Sequence, residues 1–217
     1  MIGQKLRDAM NEQVKNELES YYIYLSMAAY FHGQNLDGMA HWMRCQAHEE
    51  MIHAMKLFDH VIERGGEVKL LDLTQLKTAW SSPLEAFRDA DEHEKFITGK
   101  IRDLTKICRE ESEFPSEPTL AWLNEEQIEE EAHTGKIVAD LERVGESTEG
   151  LLMIDRELAA RPFPAGSPLD PAAAAKKADA EPAAEADDAA AAQKARLEEL
   201  RRKAAEAKAR REQDAGE

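Results

Sequence analysis

Four long segments of this chain repeat apolar residues at steps of three and four, the spacing of a helix that buries one face. The breaks between the segments differ in length. Gly33 marks one short turn and Pro115 and Pro118 bracket another, whereas residues 67–82 form a long stretch without a helical stripe. Short turns join antiparallel helices, and the long stretch can run the length of a bundle. The sequence therefore predicts an all-α fold, a four-helix bundle with one long crossover.

Capping signals place the ends of the predicted helices. Gly65 and Gly145 end the second and fourth segments, and Ser82-Pro83 is an N-cap followed by a first-turn proline. A short fifth helix is predicted at residues 151–160. On the first segment the predicted buried stripe is Leu6, Met10, Val14, Leu18, Tyr21, Leu25 and Ala28.

The folded body is predicted to span residues 1–161, with an Ala/Pro-rich linker at 162–190 and a charged tail at 191–217. From Ala172 onward the large apolar residues are Leu197 and Leu200 alone, so this part cannot bury enough surface to join a core. We expect the linker to be flexible. The final segment is alanine-rich with oppositely charged residues four apart, which favours a marginal helix.

Charge and cysteine content exclude several classes of protein. The formal net charge is −16, and nearly all of the excess lies in residues 1–160, which argues against nucleic acid or an anionic membrane as a partner. Cys45 and Cys108 are too few for a disulfide framework or a zinc finger, and we expect both to be small buried residues. The first ten residues contain no apolar signal region. These features predict a soluble, cytoplasmic protein.

Polar residues interrupt the apolar stripe near the middle of each predicted helix. They are Glu17 on the first helix, Glu50 and His53 as Glu-x-x-His on the second, Glu94 on the third, and Gln127 and Glu130 on the fourth. A single such acid is usually a solvated edge residue. Burying several together costs several kcal/mol each unless cations compensate them. Oxygen ligands with one imidazole suit iron or manganese, and the joint pattern is that of di-iron bundles.

At these residues the chain resembles the bacterial non-haem ferritins, over about residues 1–160. The resemblance implies a ferritin-like bundle in which Glu17, Glu50 and His53 hold one iron, with Glu50 bridging. It implies that Glu94 and Glu130 hold the second iron with Gln127 nearby. Tyr24 would form a hydrogen bond beside the centre and can supply an electron. The resemblance also implies a third iron site made by Glu49, Glu126 and Glu129, with Glu130 shared.

The function that this resemblance implies is iron storage with ferroxidase activity. Fe(II) would be oxidised by O2 or H2O2 at the di-iron centre, and Fe(III) mineral would be kept in a hollow homo-oligomeric shell of 24 subunits. The short fifth helix would pack at a four-fold axis, and no haem is expected. The tail would then either bind the acidic inner wall or lie outside, and we expect it outside.

Three alternatives remain open on the sequence. Glu130 and His133 also form Glu-x-x-His, the second motif of a bacterioferritin or rubrerythrin, although the acidic run around Glu130 favours the non-haem pattern. Met51 and Met55 suggest haem ligation, but methionine on a helix stripe is more often core. The bundle could also be a non-catalytic scaffold that binds partners through its tail. A rubrerythrin is disfavoured because the chain has no paired Cys-x-x-Cys motifs.

Overall fold

The computed structural model describes residues 1–74 and 77–163, and within these ranges it is helical with no strand. The helices are α1 (Gln4–Gly33), α2 (Asp37–Glu63), α3 (Pro83–Glu110), α4 (Glu117–Val144) and α5 (Thr148–Leu158), with a 3-10 turn at Phe114–Ser116. The all-α prediction is confirmed. From residue 164 onward, the predicted linker and charged tail lie outside the described residues.

The helices pack as two antiparallel pairs. α1 packs on α2 and α3 on α4, and smaller contacts between α1 and α3 and between α2 and α4 close the bundle. The N-terminal end of α1 lies against the C-terminal end of α2, where the Ile2 amide donates to the Arg64 carbonyl at 3.0 Å. The start of α3 meets the end of α4 through an Arg88–Glu142 ion pair at 2.7 Å.

The segment between α2 and α3 runs along α1. Asn11 Nδ2 donates to the Glu67 carbonyl at 3.1 Å, and Ser26 Oγ donates to the Lys77 carbonyl at 2.8 Å. Because the contacted positions rise together along both segments, the crossover travels in the same direction as α1. The single long crossover predicted from loop length is confirmed.

Caps explain where two of the helices begin. Ser82 Oγ accepts a hydrogen bond from the Glu85 amide at 3.1 Å, and Pro83 occupies the first turn of α3, as predicted. α5 begins earlier than the predicted 151–160, because Ser147 caps it by accepting from the Gly150 amide at 3.1 Å. It also ends earlier, at Leu158.

The buried face of α1 differs from the predicted stripe in its second half. Leu18, Tyr21 and Leu25 are only half-buried, whereas Ala28 is buried as predicted. The other buried residues of this half are Glu17, Ser20, Tyr24, Met27 and Phe31. The helix carries two adjacent apolar rows there. Both rows follow steps of three and four residues, so spacing alone does not show which row is buried. The two rows are one residue apart in sequence, which corresponds to about 100° around the helix.

The apolar core consists of two clusters, one toward each end of the bundle. One includes Leu6, Met10, Val14, Leu57, Ile97, Ile101 and Leu123, and the other includes Met27, Phe31, Met39, Trp42 and Phe87. Between them lies a buried polar layer at the level of Glu17. Cys45 and Cys108 are buried without a disulfide, as expected. In the part of the chain that the structure describes, no helix is long and apolar enough to cross a membrane.

α5 docks on α2 at a glycine. Asp155 Oδ1 accepts a hydrogen bond from the Met39 amide at 2.9 Å, and a Cβ added at Gly38 would overlap with the backbone carbonyl of Asp155. We expect Gly38→Ala to push α5 off α2 at a cost of about 1–3 kcal/mol. Hydrogen exchange should become faster at the amides of α5 and stay unchanged in α3. Gly99→Ala is the control, because a Cβ there meets no atom within 4 Å.

Candidate metal centre

The polar layer contains six residues that the sequence predicted as a site. Glu17 comes from α1, Glu50 and His53 from α2, Glu94 from α3, and Gln127 and Glu130 from α4. None of the six is more than 5% exposed, although glutamates are rarely buried without a partner. All four main helices therefore bring polar side chains to one height inside the bundle.

The ligand atoms fall into two overlapping groups. Glu17, Glu50 and His53 form one, and Glu50, Glu94 and Glu130 form the other. Within each group one ligand atom per residue lies within 4.8 Å of the others. Among residues 1–74 and 77–163 these are the only groups of this kind, and Glu50 belongs to both. The arrangement can hold two cations that share one carboxylate.

Several polar atoms of this layer have no hydrogen-bond partner. They are Glu17 Oε2, Glu50 Oε1, His53 Nδ1, Gln127 Oε1 and Glu130 Oε2. Leaving a buried polar atom unpaired costs about 1–3 kcal/mol, and more for a charged group. In the described part of the chain, every buried side-chain atom without a partner belongs to this layer. Cations bound to these atoms would remove the penalty.

Burial also shifts the acidities of the four carboxyls upward. It raises the pKa of Glu17 and Glu94 above the ordinary value. It raises the pKa of Glu50 and Glu130 well above that value, and the neighbouring carboxylates add to the effect at both. Removing water disfavours the charged form of each acid, and like charges disfavour it further. Divalent cations reverse this balance by favouring the ionised form.

Two glutamine amides orient the carboxylates from the side. Gln13 Nε2 donates to Glu17 Oε1 at 2.8 Å, and Gln46 Nε2 donates to Glu130 Oε1 at 2.9 Å. In each acid the other oxygen remains without a partner. Gln13 was not predicted from the sequence. Its position one turn before Glu17, on the same face of α1, was the signal that could have identified it.

Glu94 is held by two further side chains. The Tyr24 hydroxyl donates to Glu94 Oε1, and Gln127 Nε2 donates to Glu94 Oε2 at 3.2 Å. Burial, followed by the charges of the nearby carboxylates, raises the pKa of Tyr24 well above its ordinary value. Tyr24 therefore stays protonated and keeps its donor role.

The residues predicted for a third iron site lie at the edge of this layer. Glu49 and Glu126 are half-buried, and Glu129 is exposed. None of these three belongs to either ligand group. Glu49 instead forms an ion pair with Arg161, whose Nη2 lies 2.5 Å from Glu49 Oε2. Arg161 follows α5, and no local sequence pattern connects it with α2, so this contact was not predicted.

His133, the alternative ligand, is exposed and lies outside both groups. It lines a surface cavity of about 360 Å³ with Trp42 and Arg161. Met51 is half-buried, and Met55 is 38% exposed.

The fold and this layer define a class of protein, a four-helix bundle with one crossover and a buried carboxylate–histidine centre. Comparison with known proteins identifies the family. The ferritin-like domain model matches residues 7–144. The bacterial non-heme ferritin of Bacteroides fragilis (strain 638R) is 38% identical over 161 residues, which cover 74% of this chain and 100% of the relative. That of Staphylococcus saprophyticus is 32% identical over 163 residues, covering 75% and 98%.

Solved structures agree with the sequence comparison. An engineered closed form of the Archaeoglobus fulgidus ferritin aligns with a TM-score of 0.74 at 43% identity, covering 76% of this chain and 100% of that one. The open-pore ferritin of the same archaeon aligns with a TM-score of 0.73 at 43% identity, covering 75% and 99%. The chain belongs to the ferritin family.

Proposed function

We propose that this protein is an iron-storage ferritin that oxidises Fe(II) at the buried centre and keeps the Fe(III) product as mineral inside a shell. The observation that carries the proposal is the set of buried ligand atoms without partners, which lies where two overlapping ligand groups share Glu50. A bundle that used these acids only for structure would pair them within the protein.

Each ligand has a role in this proposal. Glu17, Glu50 and His53 bind one Fe(II), and Glu50 bridges to the second. Glu94 and Glu130 bind the second Fe(II), with Gln127 beside it. Tyr24 holds Glu94 by its hydrogen bond, and in this proposal it can also supply an electron. Buried oxygen-rich ligands stabilise the Fe(III) product more than Fe(II), because the higher charge gains more from anionic ligands at low dielectric.

The electrons balance with either oxidant. Two Fe(II) ions each give one electron to O2, which takes up two protons and leaves as H2O2. With H2O2 as the oxidant, the same two electrons break the O–O bond, and two protons complete two water molecules. The four carboxylates keep both ions at bridging distance, so that one oxidant molecule can collect both electrons.

Storage requires a closed container made of many copies of this chain. The family supports a homo-oligomer of 24 subunits. Large apolar side chains at the surface of the single subunit, such as Ile128 and Met153, which are 72% and 71% exposed, support contacts between subunits. The net charge of −16 attracts Fe(II) toward the protein. Two cysteines without a disulfide fit a reducing cytoplasm.

The proposal is tested by adding Fe(II) to the iron-free protein in air. Near-ultraviolet absorbance follows Fe(III) formation, an oxygen electrode gives the stoichiometry, and native mass spectrometry gives the number of subunits. We expect a fast phase limited to two Fe(II) per subunit, followed by slower mineral growth in a 24-subunit assembly. A haem Soret band in the purified protein would favour a bacterioferritin. Failure to oxidise Fe(II) faster than buffer would favour a scaffold.

A further inference from the structure

Arg161, just beyond α5, is held against α2 by both its backbone and its side chain. The Arg161 carbonyl lies 2.7 Å from His41 Nε2. The guanidinium carbon lies 4.8 Å from the centre of the Trp42 ring, and Nη2 lies 2.5 Å from Glu49 Oε2. Only 17% of the side chain is exposed. An arginine fixed by several contacts in this way differs from an ordinary surface ion pair, which contributes little.

A further contact of the guanidinium reaches the amide of Gln46. Nη1 of Arg161 donates to Gln46 Oε1 at 2.9 Å, and Gln46 Nε2 donates to Glu130 Oε1 at 2.9 Å. Gln46 is 1% exposed and Glu130 is 5% exposed, so the contact between them is shielded from water. Glu130 belongs to the ligand group that also contains Glu50 and Glu94. A continuous chain of hydrogen bonds therefore connects the residue that follows α5 with the candidate metal centre.

The guanidinium determines which end of the Gln46 amide faces Glu130. An amide side chain has one acceptor end and one donor end of nearly the same shape, whereas a guanidinium can only donate. Because Arg161 takes the oxygen of Gln46, the nitrogen must face Glu130. Glu130 Oε1 accepts from this nitrogen, and Oε2 is left without a partner, available to a cation. Without the guanidinium, the amide could turn and place its oxygen against the carboxylate.

We propose that Arg161 is a positioning residue for the second ion of the centre, the one assigned to Glu50, Glu94 and Glu130. It acts through Gln46 by keeping Glu130 in one orientation. The inference rests on the proposed function, because it assumes that the two ligand groups hold a pair of Fe(II) ions. Removing a partner that orients a metal ligand from behind typically weakens metal binding by about 10- to 100-fold.

The test is divalent-metal binding to Arg161→Met in the full-length, metal-free protein. Methionine keeps apolar contact with Trp42 but cannot donate to Gln46. Anaerobic calorimetry with Co(II) should give two ions per subunit in both proteins, with the second ion bound about tenfold or more weakly in the variant. The visible absorption of Co(II), which depends on the arrangement of its ligands, should change for the same ion. Arg156→Met removes a charge from the exposed side of α5 and should bind both ions as wild type does.

The first ion, assigned to Glu17, Glu50 and His53, separates positioning from a general loss of packing. Its affinity is measured in Glu94→Ala, which removes a ligand that belongs to the second group only. Adding Arg161→Met to this protein should leave the affinity of the first ion unchanged. A loosened bundle would weaken the first ion as well.

A double-mutant cycle tests whether Arg161 acts through the amide. Gln46→Leu removes the amide and should also weaken the second ion by about tenfold or more. Arg161→Met should then cause no further loss in the Gln46→Leu protein, because the two residues form one path. Arg161→Lys keeps a donor-only group and should bind the second ion with an affinity between those of wild type and Arg161→Met. If Arg161→Met does not assemble, Gln46→Leu and Arg161→Lys provide the test.

The outcomes distinguish the positioning role from the function on which it rests. If Arg161→Met or Gln46→Leu binds the second ion as tightly as wild type, the positioning role is wrong and the ferroxidase proposal stands. Equal weakening of both ions in Arg161→Met, or a further loss in the double variant, would show a general structural role and overturn the inference. If the wild type binds no tight pair of divalent ions, the proposed function fails and the inference fails with it.

Discussion

Replacing Glu50 with alanine should lower the initial rate of Fe(II) oxidation by about 100-fold or more. Glu50 is the only residue that belongs to both ligand groups in the described part of the chain. In the proposed mechanism its loss would remove a ligand from each ion and the bridge between them, so one oxidant molecule could no longer collect two electrons at once. The fast phase of the near-ultraviolet absorbance after mixing with Fe(II) in air measures this directly.

Glu63→Ala is the matched control for this experiment. Glu63 lies on the same helix as Glu50 but is exposed and belongs to neither group. We expect it to oxidise Fe(II) at the wild-type rate. Glu50→Ala should keep the native mass of the proposed shell, because Glu50 is only 1% exposed and cannot touch a neighbouring subunit. A wild-type fast phase in Glu50→Ala would contradict the placement of the centre.

The sequence predicted the fold correctly where a single pattern, such as loop length, allowed only one arrangement. The stretch 67–82 is long enough to cross the bundle and lacks a helical stripe, so it had to be a crossover, and its contacts with α1 agree. On α1 the rule was ambiguous. Leu18, Tyr21 and Leu25 satisfy the same spacing as the row that is buried, and only the position of the neighbouring helices selects between the two rows.

The candidate metal centre was predictable because polar residues on a buried face are costly. The cost of such burial marks the candidate ligands on all four helices, including the Glu-x-x-His of α2. It could not identify Arg161, which contacts Gln46 across 115 positions of sequence. The spacing of charged residues predicts ion pairs between residues three or four apart on one helix, and it gives no information about such a distant partner.

The carboxyls of the centre also predict how the stability of the metal-free protein depends on pH. Burial raises the folded-state pKa of Glu50 well above the ordinary 4.5. Below about pH 4 the carboxyl is protonated in both the folded and the unfolded state and has no effect. As the pH rises past 4.5, the unfolded chain ionises first and binds fewer protons, so the folding free energy becomes less favourable until the folded-state pKa is reached.

Glu50→Gln isolates this contribution. The amide has nearly the same shape and cannot ionise, so the metal-free variant should unfold at a midpoint about 5 °C or more above wild type at pH 7, and at the same midpoint near pH 4. The difference between the two proteins is the quantity to measure. Other acids, such as the half-buried Glu85, whose pKa a hydrogen bond from Lys77 lowers to about 2, change stability with pH in the opposite direction. They contribute equally to both proteins.

Divalent metal should reverse the order of the two proteins. Fe(II) under anaerobic conditions, or Zn(II), should raise the thermal midpoint of wild type far more than that of Glu50→Gln, because only the carboxylate can bridge the two ions. The gain should grow from pH 5.5 to 7.5, since binding must displace protons from carboxyls whose pKa burial has raised. Glu63→Gln should follow wild type throughout. An equal metal-induced gain in Glu50→Gln and wild type at every pH would mean that the stabilising metal binds elsewhere.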